Sequence, residues 1–160
     1  MSDAIAIRPA LESDLPVLGR LGALLIEAHY RFDPQRFMAP GDQTAEGYAW
    51  FLGTQLREGD VVVLVAERNG SVVGYVYAGL EPQSWKELRE ACGFIHDVAV
   101  DERGRRGGVA TALIDAAVEW LRAHGAPRVV LWTAHQNEGA QRLFERLGFR
   151  RTMVEMTREL

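Results

Sequence analysis

Hydrophobic residues recur along the chain with two different spacings, one typical of strands and one typical of helices. Alternation with a period of two, or a short run of β-branched residues, is typical of strands. The predicted strands are residues 5–8, 61–67, 71–80, 92–100, 129–133 and 149–158. Apolar side chains spaced by three or four residues predict amphipathic helices. The predicted helices are residues 15–28, 42–57, 109–124 and 138–147.

The connections between these segments set the fold class. Asn69-Gly70 predicts a tight hairpin, whereas Gly125 and Gly148 are expected to stop the helices before them. Residues 29–41 read as a loop, and residues 82–91 as helical or irregular. The element order predicts an α/β (mixed α+β) fold with a parallel strand pair across the helix that begins at Val109. The four tryptophans are expected to pack in the core, since core packing is their commonest use.

Size and charge narrow the class of protein further. A chain of 160 residues is most simply one domain, spanning residues 1–160, with a single core. A net charge of -4 argues against nucleic acid as a partner. No signal peptide, membrane span or metal-ligand spacing is predicted, and the lone Cys92 permits no internal disulfide. We therefore expect a cytoplasmic protein without a metal.

An Arg/Gly loop follows the predicted strand at residues 92–100. It contains Arg103, Arg105, Arg106 and the pair Gly107-Gly108, and the helix at Val109 comes directly after it. Glycines leave backbone N–H groups accessible, and a helix N-terminus favours anions. The segment lacks the spacing of a Walker P-loop or a Rossmann fingerprint. The sequence therefore predicts a cradle for a diphosphate.

Two motifs in this half of the chain resemble the GCN5-related N-acetyltransferase (GNAT) family. The acyl-CoA signature R/Q-x-x-G-x-G/A is similar to Arg105-Arg106-Gly107-Gly108-Val109-Ala110, which follows the strand end Val98-Ala99-Val100. A second pattern, N-x-x-A-x-x-x-aromatic-x-K/R-x-G-F, matches residues 137–149, with Asn137 and Phe144 at two of its defining positions. The specific part of the resemblance runs from residue 94 to residue 149.

The resemblance implies a fold and a cofactor site. A mostly antiparallel sheet of six to seven strands, flanked by about four helices, would hold acetyl-CoA where two parallel strands splay apart. Backbone groups of Val98 and Val100, with Ala99 between them, would face the pantetheine. The residues implied to hold the diphosphate are Arg105, Arg106, Gly107, Gly108, Val109 and Ala110. Asn137 and the helix carrying Phe144 would flank the pantetheine and thiol.

His96 and Asp97 are the candidate catalytic residues. Acetyl transfer needs a neutral amine, and the usual histidine pKa of about 6.5 suits a general base. The family often places a Glu or His base at the position of His96, followed by an acidic residue. Strand alternation predicts His96 on the face of Phe94 and Val98, with Asp97 on the opposite face, although a bulge would swap the faces. The alternative is a purely structural role for His96, as a partly buried histidine that is hydrogen-bonded to the backbone.

The leading interpretation is an N-acetyltransferase in which a primary amine attacks acetyl-CoA directly in a ternary complex. A small amine or polyamine is favoured as acceptor, with a protein amino terminus or an aminoglycoside as alternatives. Where the family commonly has a tyrosine to protonate the leaving thiolate, this chain has Phe144. That difference supports the alternative of an acyl-CoA-binding regulatory module without turnover. A homodimer is possible, and no membrane partner is expected.

Overall fold

The computed structural model describes residues 3–160, in which five strands and four α-helices are found. The strands are β1 (Ala6–Pro9), β2 (Val61–Arg68), β3 (Ser71–Glu81), β4 (Cys92–Val100) and β5 (Val129–Leu131). The helices are α1 (Leu15–Phe32), α2 (Thr44–Gln55), α3 (Val109–Ala123) and α4 (Glu138–Arg146). A short 3-10 turn at Glu12–Asp14 precedes α1, and a second at Glu102–Gly104 forms the start of the Arg/Gly loop.

The strands form one sheet in the order β1-β2-β3-β4-β5. The first four pair antiparallel, and β4 pairs parallel with β5 across α3, which confirms the predicted mixed fold. The sheet has five strands in the described residues, rather than the six to seven expected. One face packs against α3 and α4 around buried Leu113 and Ile114, and the other packs against α1 and α2 around Leu18 and Leu52.

Local sequence signals explain most element boundaries. The hairpin after β2 turns through Asn69 and Gly70, both with positive φ, as the dipeptide predicted. Helix α1 continues to Phe32 instead of ending before His29. The His29 side chain stabilises this last part of the helix. Its Nδ1 is hydrogen-bonded to the carbonyl oxygen of Leu25, and its ring packs edge-on against Phe32 and Phe37.

The strand predicted at residues 149–158 is not formed. Residues 150–160 have no regular secondary structure and are exposed, and β5 ends at Leu131 rather than at residue 133. Alternation gives a segment a face that can be buried, but a strand also needs a neighbouring strand to pair with, and among residues 3–160 this segment pairs with none. Ion pairs hold it instead, from Arg151 to Glu145 and from Arg36 to Glu155.

The expectation that all four tryptophans lie in the core is wrong for three of them. Trp120 packs against the α3 side of the core, whereas Trp50, Trp85 and Trp132 are largely exposed. Among the helices of the described chain, none combines the length and apolar character needed to cross a bilayer.

Candidate active site

β4 and β5 stay together only at their beginnings. Gly93, Phe94 and Ile95 pair with residues 129–131, after which the two strands separate. Residues 96–100 of β4 therefore have no strand partner on that side within the described part of the chain. The result is the V-shaped opening that was expected, located at the carboxyl ends of two parallel strands, where α/β sheets commonly bind ligands.

His96 is the extra residue of a β-bulge at this point of separation. Tyr77 of β3 lies opposite Asp97 and Ala78 lies opposite Ile95, so His96 has no counterpart on β3. The bulge directs both His96 and Asp97 toward the α1/α2 face. The His96 ring lies 4.8 Å from the Tyr77 ring, and the Asp97 carboxylate accepts a hydrogen bond from Tyr75.

The predicted placement of the two residues on opposite faces is therefore wrong. His96 does share a face with Phe94, because their rings stack at 4.7 Å. Val98, however, packs with Ile95 against the core on the α3 side. Simple alternation fails because one inserted residue reverses every face that follows it.

The His96 ring is mostly buried and lies close to two carboxylate groups, those of Glu81 and Asp97. Its Nε2 is 3.2 Å from Oε1 of Glu81, and 29% of the side chain is exposed. Burial lowers the pKa of His96 below its usual value, although the carboxylates of Glu81 and Asp97 act in the opposite direction. The lowered pKa favours the neutral imidazole, which is the form that accepts a proton.

Asp97 is held by two tyrosines. The hydroxyls of Tyr48 and Tyr75 both donate to Oδ2 of Asp97. Burial raises the pKa of Asp97, while these two hydrogen bonds lower it, and burial also raises the pKa values of both tyrosines. The net effect raises the pKa of Asp97 above its usual value, and the two hydroxyl groups fix the position of its carboxyl group on the floor of the site.

Tyr48 reaches Asp97 because α1 and α2 pack closely. A Cβ at Gly22 of α1 would lie 2.1 Å from Cδ1 of Tyr48, so only glycine permits this approach. Sequence reasoning missed Tyr48, since it precedes Asp97 by 49 positions and no local pattern links them. It missed Glu81 for the same reason.

Two clefts meet at His96. The first has a volume of about 260 Å³. Its walls are Glu81, Glu87, Arg89, Phe94, His96 and Trp132. The second has a volume of about 200 Å³. Its walls are Leu25, Ile26, His29, Phe37, Met38, Tyr48, His96 and Asp97. His96 thus faces both spaces from the point where β4 and β5 part.

The Arg/Gly loop lies between β4 and α3, as predicted. Asp101 accepts a hydrogen bond from the N–H of Gly104, which starts the turn. Arg106 and Gly108 both have positive φ, of 64° and 77°. Residues 105–108 form a tight turn, and within residues 3–160 no hydrogen bond of ordinary length and angle uses the backbone N–H groups of residues 106–111. These donors include the open first turn of α3, the part of a helix that attracts anions.

The arginine side chains in and below the loop differ in whether they are already paired within the protein. Arg105 and Arg106 are exposed and form no ion pair with any residue of the described chain, so their charges are free for a ligand. Arg103 instead binds Asp101 at 2.7 Å. Arg68, which sequence reasoning missed, donates to the carbonyl oxygens of Arg103 and Gly107 and supports the loop from below.

The remaining predicted cofactor residues have visible structural roles. Oδ1 of Asn137 accepts a hydrogen bond from the N–H of Ala140 and caps α4. The Phe144 ring packs against the core and against Phe149, with 5.9 Å between ring centroids. Val109 is buried and begins α3, next to partly buried Ala110. Residues 3–160 contain no group of three or more His, Cys, Asp or Glu side chains able to hold a metal ion.

The fold and the site together define a protein with an Arg/Gly loop, exposed at Arg105 and Arg106, beside a splayed strand pair. A sequence model described as "Acetyltransferase (GNAT) family" matches residues 24–149. The chain belongs to this family, and the resemblance seen in its motifs is confirmed.

Individual relatives agree with this assignment. The chain is 35% identical over 100 residues to an uncharacterised N-acetyltransferase of Methanocaldococcus jannaschii, a match that covers 62% of this chain and 44% of that protein. It is 32% identical over 110 residues to an N-alpha-acetyltransferase of Sulfurisphaera tokodaii, covering 66% of each. The chain thus spans less than half the length of the first relative.

A solved structure extends the likeness of fold over the whole chain. The aminoglycoside N-acetyltransferase AAC(6')-Iy, solved in complex with CoA, matches with a TM-score of 0.77 and 17% identity. The match covers 100% of this chain and 97% of that one. At this identity the likeness shows the fold.

Proposed function

We propose that the protein is an acyl-CoA-dependent N-acetyltransferase, which moves acetyl from acetyl-CoA to a primary amine in a ternary complex. The observation that carries the proposal is the position of His96, which lines two clefts at the point where β4 and β5 separate. The free amides and the unpaired arginines of the Arg/Gly loop lie at the end of the same strand. β4 thus carries the residue proposed to act on the amine and leads directly into the loop proposed to bind the diphosphate of the co-substrate.

The proposed binding of acetyl-CoA follows from unsatisfied donors. The backbone N–H groups of residues 106–111 are proposed to donate hydrogen bonds to the diphosphate. The exposed side chains of Arg105 and Arg106 add positive charge beside it. The pantetheine then lies against the free edge of β4, where Val98 and Val100 offer backbone groups beside Ala99. Asn137 and Phe144 contribute by fixing α4 at the other wall of the opening.

His96 is proposed as the general base. A carboxylate only accepts hydrogen bonds, so the contact with Glu81 places the imidazole proton on Nε2 and leaves the lone pair on Nδ1. Nδ1 takes a proton from the amine as its nitrogen attacks the acetyl carbonyl carbon. The C–N bond forms, the C–S bond breaks, and CoA leaves as the thiolate. Backbone N–H groups near Val98 stabilise the oxyanion.

Asp97 is proposed to act through its charge rather than as a second base. Its carboxylate is already engaged by Tyr48 and Tyr75, and it lies beside His96 at the second cleft. A fixed negative charge at this point attracts a cationic amine. It also stabilises the imidazolium that forms when His96 takes the proton.

The acceptor is proposed to be a small cationic amine or polyamine. Glu87 pairs with Arg89 at 2.8 Å, whereas the Glu81 carboxylate contacts the His96 ring and forms no ion pair with an arginine or lysine of the described chain. Phe94 and Trp132 add aromatic faces that favour cations. The related N-alpha-acetyltransferase and the aminoglycoside enzyme with the same fold make a protein amino terminus and an aminoglycoside the alternatives.

A regulatory module that binds acyl-CoA without turnover is the second candidate. Phe144 favours it, because this residue has no hydroxyl to protonate the thiolate. The Tyr77 hydroxyl donates to Gln55 instead of being free. A thiol with a pKa of about 8.5 nevertheless leaves tolerably well without an acid, which is why we prefer the enzyme.

Release of free thiol from acetyl-CoA, measured across a panel of primary amines, tests both candidates. We expect turnover with small cationic amines. In the His96→Ala variant, kcat should fall by roughly 10²–10⁴ while CoA affinity is unchanged, as for loss of a general base. Binding of acetyl-CoA without release by any amine would favour the regulatory module. Full activity in both His96→Ala and Asp97→Ala would contradict the assigned roles.

A further inference from the structure

Arg68, the last residue of β2, extends under the Arg/Gly loop from a different part of the chain. Its Nη1 donates to the carbonyl oxygen of Arg103 at 3.3 Å, and its Nη2 donates to that of Gly107 at 3.1 Å. We propose that Arg68 is a positioning residue for CoA, which holds these two carbonyl oxygens and thereby turns amides of the loop toward the diphosphate. The inference rests on the CoA binding proposed above.

The hydrogen bond to Gly107 fixes the direction of the next amide. A trans peptide unit is planar, and its C=O and N–H bonds point in opposite directions. Because the carbonyl of Gly107 is directed at Arg68, the N–H of Gly108 is directed away from it. That N–H is among the donors that form no hydrogen bond of ordinary geometry within residues 3–160. Without Arg68 this peptide unit is free to rotate, and a carbonyl oxygen turned toward an anion repels it.

Gly107 is the residue that lets the guanidinium come so close. A Cβ at this position would lie 2.1 Å from Nη2 of Arg68 and 2.7 Å from Nη1. The φ of Gly107 lies outside the left-handed region, unlike that of Gly108. The backbone conformation therefore tolerates a side chain at Gly107, and the obstacle is the Arg68 side chain. The two residues act as one unit.

The remaining nitrogen of the Arg68 side chain shows that the guanidinium is committed to the loop. Its Nε is buried and has no hydrogen-bond partner in the part of the chain that the structure describes. Asp3 approaches it only to 3.6 Å, and the Asp3 side chain is 85% exposed, so this ion pair contributes little. An unpaired buried donor costs free energy, which the hydrogen bonds to the loop offset. Arg68 is thus held in place chiefly by the loop that it supports.

Calorimetric titration with CoA tests the inference. The side chain in Arg68→Gln ends near the position of Nε and cannot reach either carbonyl oxygen, so affinity should fall by about tenfold. Arg68→Lys keeps the charge but places its donors on one nitrogen, so it should lose most of the same affinity. Full affinity in Arg68→Lys would show that charge alone matters and would overturn the inference. Asp3→Asn is the control and should bind CoA as the wild type does.

Gly107→Ala provides an independent variant. Its methyl group displaces the guanidinium, so CoA affinity should fall by a similar factor in the chain that retains Arg68. In the Arg68→Gln background the same change should have little further effect, because substitutions within one unit are not additive. Fully additive losses would overturn the inference. Far-UV circular dichroism of each variant establishes that it is folded.

Comparison of two acetyl donors separates positioning from general damage to the site. In Arg68→Gln, kcat/KM should fall with acetyl-CoA and stay at the wild-type value with S-acetylpantetheine, which lacks the diphosphate. An equal fall with both donors would overturn the inference. Failure of the proposed function gives different results. A wild-type chain that does not bind CoA contradicts both proposals, whereas one that binds CoA without turnover contradicts only the enzyme, and the CoA titrations then decide the role of Arg68.

Discussion

At the scale of single residues, the site depends on how Glu81 and His96 are paired. Glu81 is the last residue of β3, and the bulge on β4 turns His96 toward it. Burial favours the neutral imidazole, and the carboxylate opposes this by favouring the charged form. The pKa of His96 is therefore set by two opposing influences, one of which a single substitution removes.

Glu81→Gln should extend activity to lower pH. Without the carboxylate, the pKa of His96 falls further, so the base remains unprotonated in more acidic solution. The acid limb of kcat/KM against pH should move down, while the maximum rate drops because the tautomer is less firmly fixed. Glu87→Gln is the matched control, since Glu87 lines the same cleft but is paired with Arg89. An acid limb that stays in place in Glu81→Gln would contradict the pairing.

A substitution at Gly22 tests whether close packing of α1 and α2 holds Tyr48 in its hydrogen bond to Asp97. In Gly22→Ala the new methyl group meets the Tyr48 ring, so the hydroxyl moves away from Asp97. We expect weaker binding of the amine with little change in CoA affinity. Gly47→Ala on α2 is the control, because a Cβ there meets no atom within 4 Å. Steady-state kinetics with each substrate varied in turn measures both effects.

At the scale of elements, the turn into α3 is the decisive segment. Gly108 occupies the position before α3 with a φ of 77°, where a side chain is strained by ~1–2 kcal/mol. Gly108→Ala should relieve that strain by shifting the amides of the first turn. CoA affinity should then fall by about tenfold, since 1.4 kcal/mol corresponds to a factor of ten.

Gly125→Ala provides the comparison for this prediction. Gly125 lies at the other end of α3 with a φ of 88°, and a Cβ there also meets no atom within 4 Å. Both variants should lose similar stability, but only Gly108→Ala should lose CoA affinity in calorimetric titration. An equal loss of affinity in the two variants would assign the effect to general destabilisation.

The sequence predicted elements well where local signals determine them. The bounds of β4 and the start of α3 follow from a run of apolar residues and a Gly pair, and the hairpin follows from Asn69-Gly70. The faces of His96 and Asp97 were wrong because a bulge depends on pairing with β3. Glu81, Tyr48 and Arg68 were missed because only tertiary packing brings them to the site.

At the scale of the whole molecule, one sheet separates two cores that must form together. Leu113 of α3 is fully buried on one face, and Leu52 of α2 is fully buried on the other. Leu113→Ala should destabilise the protein by ~2–5 kcal/mol, as for removal of a buried leucine side chain. Leu24→Ala, at a position 51% exposed, should have an effect within about 0.5 kcal/mol. Urea unfolding measures both changes.

The central claim concerns the main-chain amides between β4 and α3. The most direct test is a titration of ¹⁵N-labelled protein with CoA, followed through the amide resonances. Resonances of residues 106–111 should shift with CoA and should not shift with S-acetylpantetheine, which lacks the diphosphate. CoA binding that perturbs the free edge of β4 but leaves these amide resonances unmoved would contradict the account.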